Sequence, residues 1–564
     1  MLRPATVALR RATPTAWLIA ALLLAVPACA QGASRTTHIV QLRDGVTLAD
    51  GAAAVRAARG RVTGRLPIID ALAVRLPRGA RAVLVRDPRV DAVTVNGRIG
   101  PQSDGLTTPD VTSPSDEPTT DAEPAATTEI ASDVDLVPVT EQTSDAEQAP
   151  EPTPTPEPAT DPPVDASRLA TAYPYSVLAP QIWSQGTGRG IGVAVIDTGI
   201  DGGLPDFTAR DGSSRVVASV ATNPNATNQA DGYGHGTHIA GIIAGDGTRL
   251  SGDDPAAGKY IGIAPGASLI AIKASDDNGS GTVLDAIYGL QFAVDHKDDY
   301  NIRVVNLSVS STTPQAYRTD PLDAAVESAY FHGILVVAAV GNRGSAEDAV
   351  SYAPANDPFA LSVGGVDDQN TQVRDDDAFA DWSSVGTTQD GFSKPEIGAP
   401  GAHIVSTLAR QSAFEDLCPA CVVDGDYIRV GGSSMAAPVV AGVAALLFEQ
   451  HPEWTPDQAK STLIDTARNV AGGVDEVNAL AAVSTETPSS GVNDGVVPND
   501  LVDSTAGEID YTRSSWGRSS WGAAPETMEA DWARSSWGCT CGTSDTNALD
   551  GTRSSWGSAT WLSR

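Results

Sequence analysis

Short runs in which nearly every position is apolar recur through the middle of the chain, and helical patterns separate them. The first run occupies residues 192–196 and ends at Asp197; the others occupy residues 303–307, 334–340 and 359–366. Runs of this kind are typical of strands that are buried on both faces. Strands that alternate with helices form parallel sheets covered by helices. The pattern therefore predicts an α/β domain with a parallel sheet over residues 166–483.

A smaller unit precedes this domain. Its pattern predicts strands at 37–42, 61–66, 70–76 and 89–95, and helices at 48–59 and 78–87. The resulting βαββαβ order predicts a small α+β ferredoxin-like module over residues 35–100. At this length the module is marginally stable on its own.

The charge of the 564-residue chain divides it into the same segments. The formal net charge is −33, which makes nucleic acid an unfavourable partner. Residues 35–100 carry twelve Arg against five Asp, whereas residues 101–165 carry sixteen acidic residues and no basic one. Residues 166–564 carry 49 acidic residues against 22 basic ones. We therefore expect a basic module and an acidic domain that attract each other, joined by a disordered acidic linker rich in Pro and Thr.

The first 30 residues predict a secretory signal peptide. Arg3, Arg10 and Arg11 precede an apolar run at 16–26 that is too short for a stable membrane span. Small residues on both sides of Cys29 fit cleavage after Ala30, while the sequence that ends at Cys29 also resembles a lipoprotein box. The predicted location is extracellular, with free secretion and lipid anchoring at Cys29 both left open.

Cysteine usage agrees with export. Either predicted cleavage removes Cys29 from the free thiols. The other four cysteines predict two disulfides whose pairing the sequence leaves open: Cys418, Cys421, Cys539 and Cys541. A zinc site is disfavoured because no His lies near either pair at a ligand spacing.

Residues 484–564 form a predicted tail in which Arg-Ser-Ser-Trp-Gly occurs four times. This tail either binds cell-surface material or docks on the domain.

Four polar residues stand at predicted strand ends or helix N-termini, where functional groups of parallel α/β domains gather. Asp197 ends the first strand, and His235 opens a small-residue helix. Asn342 follows the strand at 334–340, and Ser434 opens a long apolar helix. The N-terminus of a helix favours developing negative charge, so Ser434 is a candidate nucleophile.

These residues lie in four short motifs: Asp197-Thr198-Gly199, Gly234-His235-Gly236-Thr237-His238, Gly341-Asn342 and Gly432-Ser433-Ser434-Met435-Ala436-Ala437-Pro438. In this order and context, they resemble the motifs of the subtilisin-like serine proteases, the subtilases, over residues 170–470. The resemblance implies a three-layer subtilisin-like fold and hydrolysis of peptide bonds without a cofactor for catalysis. It assigns nucleophilic attack to Ser434, proton transfer to His235, orientation of His235 to Asp197, and oxyanion binding to Asn342.

The resemblance also implies how polypeptide substrates bind. An extended substrate would add to an edge formed by Ser308, Val309 and Ser310, and its side chain would enter a pocket walled by Val340 and Gly341. Ser310 replaces a glycine of many relatives and adds a side chain beside this groove.

Two further partners follow from the resemblance. The module at 35–100 would be a propeptide that inhibits the domain and assists its folding. Structural calcium is expected in this family, with Asp206 at one ligand position and the acidic residues Asp246, Asp253 and Asp254 as further candidates.

The function predicted from the sequence is thus a secreted, autoprocessed serine endopeptidase. The alternative is a cell-envelope binding protein whose protease domain mainly processes itself.

Overall fold

The computed structural model describes residues 36–43, 46–69, 71–100 and 164–502. The predicted signal peptide, nearly all of the acidic linker, the Trp-rich repeats, Cys539 and Cys541 lie outside these residues.

The N-terminal module contains the predicted elements in the predicted order. Its elements are β1 (Thr36–Leu42), α1 (Leu48–Ala57), β2 (Arg61–Leu66), β3 (Ala71–Leu76), α2 (Ala80–Leu84), β4 (Val90–Val95) and β5 (Arg98–Gly100). The first four strands form an antiparallel sheet in the order β2-β3-β1-β4. Val40, Val55 and Leu84, all fully buried, join its helices to one face of the sheet. The short strand β5 had no counterpart in the sequence pattern, and it pairs with the larger domain instead.

The larger domain alternates strands and helices as the pattern predicted. Its strands are β6 (Gly192–Asp197), β7 (Val216–Ala221), β8 (Ser268–Lys273), β9 (Gly281–Thr282), β10 (Ile302–Leu307), β11 (Ser310–Ser311), β12 (Leu335–Ala339), β13 (Leu361–Asp367), β14 (Ala378–Phe379), β15 (Gly386–Thr387), β16 (Ser393–Lys394), β17 (Ile397–Pro400), β18 (Ile404–Thr407), β19 (Val422–Val423) and β20 (Tyr427–Val430). Its helices are α3 (Tyr173–Ser176), α4 (His235–Ala244), α5 (Val283–Asp295), α6 (Pro321–Phe331), α7 (Ala413–Leu417), α8 (Ser433–Gln450), α9 (Pro456–Asp465) and α10 (Ala479–Val483).

A sheet of eight strands organises the domain. Seven strands follow the order β14-β13-β12-β10-β6-β8-β7, and β17 also pairs with β13. All of these pairs are parallel except that between β13 and β14. Every residue of β6 and β12 is buried, as expected for strands that are covered on both faces. The predicted α/β fold with a parallel-dominated sheet is thus present.

Helix α8 runs through the middle of the core. Its first sixteen residues, 433–448, are all buried, and it packs against α4 and strands of the central sheet. Among the described residues it is the one helix with the length and hydropathy of a membrane span, and 89% of that stretch is buried inside the domain.

Residues 484–502 were assigned to the tail by the sequence, but they pack on the domain as a strap. The backbone N–H of Asn499 donates to both carboxylate oxygens of Glu327 at 2.8 Å. Leu501 and Val502 are each 1% exposed. The packed domain therefore extends to residue 502, beyond the predicted boundary at 483.

The strap covers a cluster of buried carboxyl groups on and beside α6. Burial raises the pKa of Asp320 to about 6 and that of Asp357 to about 7, and it also raises the pKa values of Asp323 and Glu327. Among the described residues, neither carboxylate oxygen of Asp323 has a hydrogen-bond partner. An ionised Asp323 therefore lacks the compensation that a buried charge requires.

We predict that Asp323→Asn stabilises the protein at pH 8 and has little effect at pH 4. The folded pKa values of the cluster lie above the unfolded values of about 4, so the folded state binds more protons and its stability falls as pH rises from about 4 to 7. The variant should gain at least about 1 kcal/mol in the free energy of unfolding at pH 8. Urea unfolding of the full chain at both pH values, in a Ser434→Ala background that lacks the candidate nucleophile, measures this gain.

Asp298→Asn is the matched control, because the Asp298 side chain is 97% exposed and should leave the pH dependence unchanged. A loss of stability in Asp323→Asn at pH 8 would contradict the prediction.

Candidate active site

Asp197 and His235 meet at the carboxyl end of β6. Asp197 is the last residue of the strand, and His235 is the first residue of α4. Asp197 Oδ1 lies 2.6 Å from His235 Nδ1, and both side chains are fully buried. The Thr198 N–H also donates to Asp197 Oδ1, at 2.7 Å. A proton on Nδ1 directed at the carboxylate leaves Nε2 as the basic nitrogen of a neutral imidazole.

Asp231 fixes the start of α4 and thus the position of His235. Its carboxylate accepts hydrogen bonds from the Gly234 N–H at 2.7 Å and the Thr237 N–H at 2.8 Å. Thr198 connects this cap to β6, because its hydroxyl donates to Asp231 Oδ1 and accepts from the Gly236 N–H, both at 2.8 Å. The sequence motifs did not reveal a role for Asp231 or Thr198. The signal was an acidic residue just before a predicted helix, the usual pattern of an N-terminal cap.

The segment that follows β12 fixes the start of α8, where Ser434 is the second helical residue. The Ser433 N–H donates to Asn342 Oδ1 at 2.8 Å, and the Gly341 N–H donates to Ser433 Oγ at 3.0 Å. Gly432 has φ 144°, and a Cβ at this position would lie 3.3 Å from Asn342 Nδ2. A side chain at 432 would therefore be strained and would crowd the Asn342 amide.

The four candidate residues lie at the ends of elements that pack together. Asp197 ends β6 and Asn342 lies after β12 in the same sheet, and the two helices that begin with His235 and Ser433 pack against each other. In the first turn of α8, the Ser433 N–H donates to Asn342 Oδ1 and the Met435 N–H donates to the Gly432 carbonyl at 2.9 Å.

The sequence similarities of the chain agree with this geometry. A sequence model described as "Subtilase family" matches residues 188–490, which is more than half of the chain. The chain belongs to the subtilase family. It is 36% identical over 282 residues to "Serine protease AprX" of Bacillus subtilis (strain 168), covering 49% of this chain and 61% of that protein. It is 37% identical over 308 residues to "Subtilisin NAT" of Bacillus subtilis subsp. natto, covering 54% of this chain and 68% of that protein.

A solved structure supports the fold. Fervidolysin from Fervidobacterium pennivorans, described as a keratinolytic enzyme related to subtilisin, aligns with a TM-score of 0.56 and 22% sequence identity. The alignment covers 81% of this chain and 62% of fervidolysin. At this identity the similarity concerns the subtilisin-like fold.

The predicted substrate edge lies beside Ser434. Ser310 belongs to β11, which pairs with β5 of the N-terminal module, while Ser308 and Val309 connect β10 to β11. The predicted pocket residues Val340 and Gly341 directly follow β12, and Val340 is 2% exposed. The residues predicted to form the edge and the pocket wall therefore follow two neighbouring strands, β10 and β12, of this subtilase domain.

An aromatic ring lies beside His235, and a disulfide follows the helix that carries the ring. Phe414 in α7 has its ring centroid 6.1 Å from that of His235 and 5.4 Å from that of Tyr233. Cys418 and Cys421, just after α7, form a disulfide. The pairing of the other two cysteines stays a prediction, because both lie outside the described residues.

The surroundings of Asp206 do not fit the predicted calcium ion. Asp206 Oδ1 accepts a hydrogen bond from the Tyr427 hydroxyl at 2.8 Å, and burial raises the pKa of Asp206 to about 6. The Arg215 guanidinium donates to three backbone carbonyls, those of Asp206, Ala244 at 2.6 Å and Ala267 at 3.0 Å. Carbonyl oxygens of this kind are calcium ligands, and here a permanent cation already occupies them.

Asp246, Asp253 and Asp254 do not form a cluster of ligand side chains. Within residues 36–100 and 164–502, as far as these are described, no group of three or more His, Cys, Asp or Glu side chains is arranged to hold a metal ion. The acidic loop therefore gives no ligand set of the kind that the sequence suggested.

We predict that Arg215→Met lowers the free energy of unfolding by at least about 3 kcal/mol, because three buried carbonyls lose a charged donor. A calcium chelator should leave the thermal midpoint of the unmodified protein unchanged. Thermal and urea unfolding with and without the chelator measure both effects.

The control is Arg410→Met, which removes a 59% exposed arginine paired with Asp201 and should cost no more than about 1 kcal/mol. A drop of several degrees in the midpoint of the unmodified protein after chelation would show that calcium binds the chain.

Proposed function

We propose that the protein is an exported serine endopeptidase that is made as a self-inhibited precursor. The observation that carries the proposal is the buried 2.6 Å contact between His235 Nδ1 and Asp197 Oδ1, with Ser434 at the N-terminus of the helix packed beside α4. A serine protease triad requires Ser, His and Asp side chains, with the Asp carboxylate bonded to the His ring.

Each group has a defined role in the proposed reaction. Ser434 Oγ attacks the carbonyl carbon of the scissile peptide bond while His235 Nε2 takes its proton. Asp197 stabilises the imidazolium that forms, and the ring then returns the proton to the leaving amine. The Asn342 side-chain amide and the Ser434 N–H stabilise the negative oxygen of the tetrahedral intermediate. Water then releases the acyl group by the same steps.

The position of β5 supports the precursor part of the proposal. This three-residue strand lies between β9 and β11 and pairs antiparallel with both. An extended substrate would bind to a sheet edge in the same manner. Ile99 is 1% exposed, and its side chain covers the face of Gly281, where an added Cβ would lie 3.0 Å from Ile99 Cγ1. The chain thus holds its own segment in the groove that a substrate would need.

Contacts with α5 hold the N-terminal module beside this groove. Asn96 Oδ1 accepts a hydrogen bond from the Leu284 N–H at 3.0 Å, and the Gly97 carbonyl accepts from the Val283 N–H at 2.9 Å. The Ile68 N–H donates to Gln291 Oε1 at the other end of the same helix. The first two bonds satisfy first-turn donors of α5, and all three support the role of the module as an intramolecular inhibitor.

Export is proposed on the N-terminal sequence pattern together with the disulfide between Cys418 and Cys421, which is typical of an oxidising compartment. Attachment to the cell envelope, through a lipid on Cys29 or through the Trp-rich repeats, stays a prediction for residues outside the described part of the chain.

Ser434→Ala should leave a folded precursor that is neither processed nor able to clear casein. Removal of the nucleophile abolishes acyl transfer, whereas the buried surroundings of Ser434 accept a smaller side chain. Casein clearing by purified protein and the mass of the secreted chain measure the two effects. Normal processing or clearing by Ser434→Ala would contradict the triad. An unmodified protein that processes itself but clears no casein would favour the envelope-binding alternative.

The register of β5 predicts the first processing site. Gly100 pairs with Ser310 and Ile99 with Ser311, so the continued antiparallel ladder would match Ser308 with the second residue after Gly100, Gln102. Ser434 Oγ lies 3.2 Å from the Ser308 carbonyl oxygen. We therefore expect the Gln102–Ser103 bond to be cleaved first, and the intact mass of the released N-terminal fragment identifies its last residue.

Ile99→Asp should slow this step, because the charge would have to enter a buried site. Val95→Asp is the control, since Val95 is 48% exposed and lies outside the groove. An N-terminal fragment that ends elsewhere at the earliest times would contradict the register.

A further inference from the structure

Helix α8 contains a break in its hydrogen-bond pattern close to the nucleophile. Pro438 is the sixth residue of the helix. In an α-helix the N–H of residue 438 would donate to the carbonyl of Ser434, four residues earlier, but proline has no N–H. The peptide group that carries the nucleophile therefore lacks its helical donor, in a region where residues 433–448 are all buried.

The Ser308 side chain supplies the missing donor. Ser308 Oγ donates to the Ser434 carbonyl at 2.8 Å, and Ser308 is fully buried. The Asn306 amide donates to Ser308 Oγ at 2.9 Å from the same strand end. Because Asn306 occupies an acceptor site of the hydroxyl, the hydroxyl proton is directed at Ser434.

A second bond connects the same two residues in the opposite direction. Ser434 Oγ donates to the Ser308 carbonyl at 3.2 Å. Ser308 thus contacts both the backbone and the reactive side chain of Ser434. The other contacts of this helix turn, from Asn342 and Gly341, reach Ser433.

We propose that the Ser308 hydroxyl is a positioning residue for Ser434, and that it replaces the helical hydrogen bond removed by Pro438. The inference rests on the proposed peptidase function. The hydroxyl holds the Ser434 carbonyl at a fixed place relative to the carboxyl end of β10, and through the Ser434 backbone it positions the Oγ and the N–H that stabilises the oxyanion. This role of the Ser308 hydroxyl is separate from the predicted substrate edge, which uses the backbone of residues 308–310.

A double-mutant cycle between Ser308 and Pro438 tests the proposal. Ser308→Ala should lower kcat about tenfold with KM changed by less than about twofold, because the nucleophile loses its alignment while the backbone edge remains. In a Pro438→Ala background the new N–H of Ala at 438 can donate to the Ser434 carbonyl. There, Ser308→Ala should lower kcat by no more than about twofold.

Ser406→Ala is the matched control. Ser406 is a buried serine whose hydroxyl donates at 2.8 Å to a helix carbonyl, that of His238 in α4. Ser406→Ala should lower the urea midpoint, as Ser308→Ala should. Its effect should be the same whether residue 438 is Pro or Ala. Unfolding of all variants in the Ser434→Ala background separates a loss of folding from a loss of alignment.

Three results would overturn the proposal: an equal fall in kcat in both backgrounds, an effect confined to KM, or no effect of Ser308→Ala. Absence of peptidase activity in the unmodified, processed protein would instead refute the proposed function. The unfolding cycle would still test the connection between Ser308 and Pro438 in that case.

Discussion

Burial of the parallel sheet on both faces is the constraint on which the site depends. Strands covered on both sides cannot present polar side chains along their length, so polar groups collect where the strands end. Asp197 and Ser308 lie at or directly after the carboxyl end of a strand in this sheet, and Asn342 lies three residues after one. The N-termini of α4 and α8 meet the same edge. The candidate proton-transfer pair, nucleophile and amide donor are therefore placed without burial of unpaired charge inside the sheet.

The sequence predicted the features that depend on local patterns of residues. Apolar runs identified the strands of the central sheet, and the motif around each candidate residue identified Asp197, His235, Asn342 and Ser434. The missed features depend on contacts between distant residues. Strand β5 exists because it pairs with the domain, and the strap at 484–502 is ordered by bonds such as that between Asn499 and Glu327. Backbone carbonyls around Arg215 leave no side-chain signal at all.

Proline in the helix that carries the nucleophile illustrates how such distant contacts compensate for local defects. A proline at the sixth position of an isolated helix costs about 3 kcal/mol. In this protein the vacated carbonyl belongs to Ser434 and meets the Ser308 hydroxyl, so the break in the helix becomes a connection between α8 and β10. The Ser434 carbonyl and the Ser308 hydroxyl lie 126 residues apart along the chain. Helix propensity alone would predict only the destabilisation of α8 by Pro438.

The N-terminal module is held by two kinds of contact with different consequences. Strand β5 has only two residue pairs with each neighbour, and short ladders of this kind contribute little binding free energy on their own. The bonds from Asn96 and Gly97 to the first turn of α5 lie before the proposed cleavage site and do not depend on that peptide bond. In the proposed precursor, cleavage after β5 would therefore leave most of the attachment intact. Release of the groove would then require unfolding or digestion of the module, so its marginal stability would control activation.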